Sequence, residues 1–166
     1  MKTRTLITLT LAAALLPCGA AGAKLPDFTG DLITAKSMGG AKLGMTYGQV
    51  VGKWGGGGVD EAVGERCGGP NSDPLEWTCS WKKTSTLKAW VRFENGQARA
   101  IGISGPRRSR PGRLRTRDGL GLGTSTEKLF KSGCGSSPST TGVVYRCNGV
   151  SFYGNRSGRV ASVTIG

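Results

Sequence analysis

Two rhythms of apolar and polar residues run along this chain, and their order occurs twice. Trp77-Thr78-Cys79-Ser80-Trp81 alternates with a period of two, as does the run from Leu87 to Glu94. In the latter Leu87, Ala89, Val91 and Phe93 share one face, and Lys88, Trp90, Arg92 and Glu94 the other. Asn95-Gly96 turns this strand back into Arg99–Ile103, because an Asn-Gly pair accepts the positive φ that tight hairpins demand. Val143–Cys147, Val150–Tyr153 and Val160–Ile165 repeat the meander further on, with Ser157-Gly158 as a turn. Such alternation predicts half-buried strands. Ahead of each set stands a short helix pattern. Thr46 opens the first, Tyr47 to Trp54, whose apolar face is Val50, Val51 and Trp54; Thr124 or Ser125 opens the second, Thr126 to Lys131, with Leu129 and Phe130. Thr and Ser suit the N-cap because their hydroxyls accept from first-turn amides. Leu43-Gly44 and Leu122-Gly123 precede the two caps. Short strands are expected before these, at Leu32–Ser37 turned by Gly39-Gly40, and at Arg113–Thr116 turned by Asp118-Gly119.

A doubled order of parts predicts an α+β fold of two tandem repeats, each a short helix packed on a three-stranded antiparallel β-meander. Helices of this length are marginal alone and need a sheet to pack on. The boundaries follow: residues 1–23 a leader, 24–104 the first repeat, 105–118 an Arg-rich connector and lead-in strand, and 119–166 the second repeat. Units of this size seldom fold without support, so the halves are expected to share a core or a sheet. Trp54, Trp77, Trp81 and Trp90 all fall in the first half, while Phe130, Tyr145, Phe152, Val163 and Ile165 are the main core candidates of the second.

The leader has the form of a secretory signal: Lys2 and Arg4, an apolar run from Leu6 to Leu16, then Ala21-Gly22-Ala23. That run is too short to span a bilayer. Cys18 raises a lipid anchor, but Pro17 stands where a lipobox needs a small residue. Export places the protein outside the cell or in the periplasm, where cysteines pair. The remaining four are Cys67, Cys79, Cys134 and Cys147. Each pair recurs at the same place in its repeat, so the repeat selects Cys67–Cys79 and Cys134–Cys147 among the three pairings. A structural zinc site would need closer cysteine spacing, and no metal or other cofactor is expected.

Charge separates the halves. Residues 24–104 hold 10 basic and 8 acidic side chains, whereas residues 105–166 hold 11 and 2. Six of those cations, Arg107, Arg108, Arg110, Arg113, Arg115 and Arg117, lie within the connector. The chain has no histidine, which removes Ser-His-Asp and Cys-His pairs and the commonest general base. Asp60, Glu61 and Glu65 cluster in a Gly-rich stretch that reads as a solvated loop. Gly55–Gly58 lacks the Gly-Lys-Ser/Thr of a phosphate loop. A non-enzymatic role is the expectation.

The stretch Leu43-Gly44-Met45-Thr46 followed by Gln49-Val50, the Cys67 to Cys79 gap and the step from Cys79 to Phe93 resemble the β-lactamase-inhibitor-protein family. The resemblance covers residues 43–93 closely and the second half only in the order of features. It implies tandem helix-on-sheet repeats with a disulfide in each, and a partner-binding sheet face. A tyrosine of that face would fall at Trp90, and the family's inhibitory acidic residue at Thr86. Lys82-Lys83-Thr84-Ser85-Thr86 carries no carboxylate, so the acidic contact is missing from this chain.

Two binding roles stand as alternatives, the first leading. In the first, Lys88, Trp90 and Arg92 on the open sheet face hold an extracellular or envelope protein or peptide, since Trp beside Arg is typical of interface anchors. In the second, the basic half and its six connector arginines bind an anionic polymer or surface: a cell-wall polymer, extracellular DNA or lipid head groups. No aromatic residue lies between Pro106 and Leu122, which argues against sequence-specific nucleic-acid recognition.

Overall fold

The computed structural model describes residues 32–56, 58–68, 73, 75–82, 87–106, 114–140 and 142–166. The leader, Cys18, the loop containing Thr86, and Arg107, Arg108, Arg110 and Arg113 lie outside these residues.

The chain starts with a small hairpin, β1 (Ser37–Met38) and β2 (Ala41–Lys42), turned by Gly39 and Gly40 at φ 57° and 81°. The strand expected over Leu32–Ser37 is thus confined to its end. Leu32 instead makes an isolated parallel bridge to Arg115, and Thr34 Oγ1 accepts from the amides of Lys36 and Ser37, turning the chain between them. Helix α1 (Tyr47–Trp54) begins at Thr46, whose hydroxyl accepts from the Gln49 amide while the Gln49 side chain accepts from the Thr46 amide. This reciprocal box satisfies two otherwise orphaned N–H groups. Gly55, at φ 82°, ends the helix.

Next come β3 (Val59–Asp60), β4 (Glu76–Lys82), β5 (Lys88–Glu94) and β6 (Gln97–Ser104). Helix α2 (Thr126–Lys131), capped by Ser125, precedes β7 (Gly135–Ser139), β8 (Gly142–Cys147), β9 (Val150–Gly154) and β10 (Val160–Ile165). Asn95-Gly96 and Asn148-Gly149 turn their hairpins with positive φ at both residues, the backbone of a type I′ turn. The strands form one antiparallel sheet in the order β3-β4-β5-β6-β10-β9-β8-β7. Each half therefore contributes four strands where the sequence pattern predicts three. The additions, β3 and β7, are the two edges. The last strands of the halves meet at the centre, with Ile101 opposite Ile165 and Ile103 opposite Val163. The expected sharing is this seam.

One face carries the core. Met38, Ala41, Val50, Trp54, Trp81, Phe93, Ile101, Ile103, Leu129, Phe152, Val163 and Ile165 belong to a single buried cluster that spans both halves. Trp54 and Trp81 meet edge to face at 5.0 Å, and their indole N–H groups donate to the carbonyls of Gly39 and Gly55. Trp77 stacks on Phe93 at 4.2 Å. Both expected disulfides are formed, Cys67–Cys79 and Cys134–Cys147. Gly58 passes so close to Cys79 Sγ that no Cβ fits, with the Trp81 ring 3.0 Å from the same point. Two expectations fail. Phe130 is 72% exposed, because on α2 the inward direction belongs to Leu129, which is fully buried. Asp60 is not solvated: it sits on the core side of β3, opposite Cys79, while Glu61 and Glu65 are exposed. Its Oδ1 accepts from the Ala62 amide, and Oδ2 has no partner among the described residues.

Candidate functional site

The period of two along β5 sends Ala89, Val91 and Phe93 into the core and Lys88, Trp90 and Arg92 to the opposite face. The structure brings these three side chains together on one strand. Lys88 pairs with Glu61 at 2.6 Å, and Arg92 with Glu94 at 3.0 Å and Glu76 at 3.8 Å. Such partly exposed pairs contribute at most about 1 kcal/mol each; their effect here is to fix the side chains around Trp90.

Trp90 stands opposite Ser80 on β4 and Gly102 on β6. Its indole lies flat across Gly102, filling the space a side chain there would take, so the glycine is what lets the ring settle onto the sheet. The ring remains half-buried. In contrast to Trp54 and Trp81, its N–H has no acceptor among the described residues. The same row continues across the seam through Thr164, Ser151 and Arg146. The row beside it runs from Lys88 through Ser104, Ser162 and Tyr153 to Val144. None of these residues belongs to the core cluster. The face thus combines small hydroxyl and glycine residues, the cations Lys88, Arg92 and Arg146, the buried Val144, and two aromatic rings, Trp90 and Tyr153, on either side of the seam.

Arg115 and Arg117 are the described members of the arginine connector, and the structure sends them to different places. Arg117 is exposed beside a small apolar cavity of about 190 Å³ lined by Ile33, Ala35, Leu120 and Val150. Arg115 lines a separate polar cleft of about 350 Å³ with Lys128, Arg159, Thr124 and Ser125. Sequence reasoning missed Lys128 and Arg159, which lie 31 residues apart and far outside the arginine run. The signal that joins them is the Ser125–Arg159 bridge, visible only once β10 is paired. Among the described residues, no group of three or more Cys, Asp or Glu is placed to hold a metal ion, and no helix is long and apolar enough to cross a membrane.

No family model, curated protein or solved structure matches this chain.

Proposed function

We propose that this protein is an exported, disulfide-stabilised, non-enzymatic binding module that holds a protein or peptide partner on the sheet face opposite its helices, with Trp90 as anchor. The observation that carries the reading is the indole of Trp90, laid over Gly102 outside the core, with an N–H that meets no acceptor among the described residues and ion-paired Lys88 and Arg92 on either side. A large amphipathic ring already fixed by its neighbours loses little freedom on binding and buries much area. Tyr153, across the seam, extends the surface that a partner would cover. We further read the halves as tandem repeats like those of the β-lactamase-inhibitor-protein family, a reading supported by the strand order, which places four strands of each half symmetrically about β6 and β10. The missing carboxylate at Thr86 directs the choice of partner away from that family's acidic contact.

The test is capture from the producing cell's own exterior with the mature, oxidised protein, followed by affinity measurement on the captured partner. Trp90→Ala is expected to weaken binding by about 30-fold or more, as loss of a hot-spot residue does, with a nearly unchanged melting temperature. Lys53→Ala, on the exposed side of α1, is expected to change neither. Unaltered binding by Trp90→Ala together with a melting temperature lowered by several degrees would make the ring a structural cover and end this reading.

A further inference from the structure

We infer that the cleft between the α2 segment and the start of β10 is a binding site for a phosphate group carried on a larger molecule. This site is separate from the Trp90 face and does not depend on it.

The inference starts with charge. Arg115, Lys128 and Arg159 line the cleft together, and no carboxylate does. Three other described cations do meet acids: Lys88 meets Glu61, Arg92 meets Glu94, and Lys131, also on α2, meets Glu127. Neither Lys128 nor Arg159 has an acidic partner among the described residues. Bringing the like charges of Lys128 and Arg159 to one cleft is unfavourable without a counter-ion, so the cleft suits an anion.

Arg159 is also held in place. The Arg159 amide donates to Asn155 Oδ1 at 3.1 Å, and its Nη1 donates to the Gly123 carbonyl at 3.2 Å. Gly123 and Thr124 are in turn bonded to Val160, which ties the floor of the cleft to β10. One guanidinium N–H is used in this way, and no other described residue engages the fork, whose geometry matches an oxyanion. Thr124 Oγ1 accepts from the Gly121 amide and Ser125 Oγ from the Lys128 amide. Each hydroxyl spends a lone pair and keeps its O–H to donate, and no described residue accepts from either. The side chains of the cleft thus offer cationic and hydroxyl donors with no carboxylate among them. Backbone amides of α2 are not needed: Lys128 N and Thr126 N are already engaged by Ser125 and Gly158.

The cleft, of about 350 Å³, is open to solvent, so a phosphate held by its cations can carry a sugar or glycerol unit outward. A phosphate ester has the charge and oxygens to engage Arg159 and Lys128 together. It could be a free ester or one unit of a phosphodiester polymer.

The experiment is an amide-resolved NMR titration of the mature, oxidised protein at fixed ionic strength, with inorganic phosphate, glycerol 3-phosphate and poly(glycerol phosphate) as separate probes. Saturable shifts at Gly121, Gly123, Ser125 and Arg159 are expected. Tighter binding of glycerol 3-phosphate than of inorganic phosphate supports a free ester, and a further gain with the polymer supports the polymer. Lys128→Ala, at an exposed position, and Arg159→Lys, which keeps the charge and loses the fork, are each expected to weaken binding by about tenfold. Lys131→Ala removes equal charge outside the cleft and is expected to have no effect. A melting curve for each variant separates lost binding from lost fold. Absence of saturation with all three probes, or equal weakening by Lys131→Ala, overturns the site and leaves generic charge.

Discussion

At the scale of single residues, close approach and direction matter more than residue type. Gly58 allows the chain to cross directly over the Cys67–Cys79 disulfide and the Trp81 ring. Gly58→Ala must move backbone or a fully buried Trp, so a loss of about 1–3 kcal/mol is expected, measured as a lower midpoint of urea unfolding under oxidising conditions. On α2, adjacent apolar residues are expected to behave oppositely. Leu129→Ala should cost about 2–5 kcal/mol, whereas Phe130→Ser, at a site 72% exposed, should stay within about 0.5 kcal/mol. Comparable losses at the two positions in the same urea series would mean that Phe130 is covered. Alternation in β5 correctly divided Lys88, Trp90 and Arg92 from Ala89, Val91 and Phe93, since a strand leaves no other choice. Nothing in the sequence told Leu129 from Phe130, because a six-residue helix is too short to define its inward stripe. The resting place of Trp90 on Gly102 was equally hidden, as it depends on which strand pairs with β5 and in what register.

At the scale of elements, what was legible is what local chemistry decides. The cap at Thr46, the Asn95-Gly96 turn and the extents of α1 and α2 all follow from side chains acting on their own backbone, while the choice of Ser125 over Thr124 as the second cap was left to the structure. Thr46→Ala removes half of the capping box and is expected to cost about 1 kcal/mol, seen in urea unfolding, while Thr46→Asp restores most of it. Equal stability of the wild type and Thr46→Ala would show that the sheet alone holds α1. The edge strands β3 and β7 were not legible. Gly135-Ser-Ser-Pro-Ser139 has no apolar alternation, and it is a strand because β8 offers it partners, with Pro138 tolerated at an edge. The basic cleft was hidden for the same reason: its residues come from the connector, the segment before α2, α2 itself and the turn before β10, and only tertiary pairing unites them.

At the scale of the whole molecule, the seam between β6 and β10 decides whether the protein is one body. Ile101, Ile103, Val163 and Ile165 face each other across it, and each is at most 1% exposed. Complete burial of such a side chain is worth about 1.5–3 kcal/mol. Even a fraction of that, lost at four positions, is several kcal/mol, comparable with the net stability of roughly 5–15 kcal/mol that a domain has to spare. A disulfide closing a loop of 12 or 13 residues contributes only about 3 kcal/mol, and it does not cover an orphaned strand edge. The second half is the weaker partner, for it lacks any Trp and its Phe130 faces outward. Residues 112–166 expressed alone and oxidised are therefore expected to give a narrow, poorly dispersed amide spectrum, because β10 would present Val163 and Ile165 to water along an unpaired edge. The complete chain is expected to unfold in one calorimetric transition whose van't Hoff and calorimetric enthalpies agree. Reduction of both disulfides should lower the midpoint without splitting it. A sharp, dispersed spectrum from residues 112–166, or two resolved transitions in the complete chain, would show instead that each half holds its own core and that the seam is a contact between finished domains.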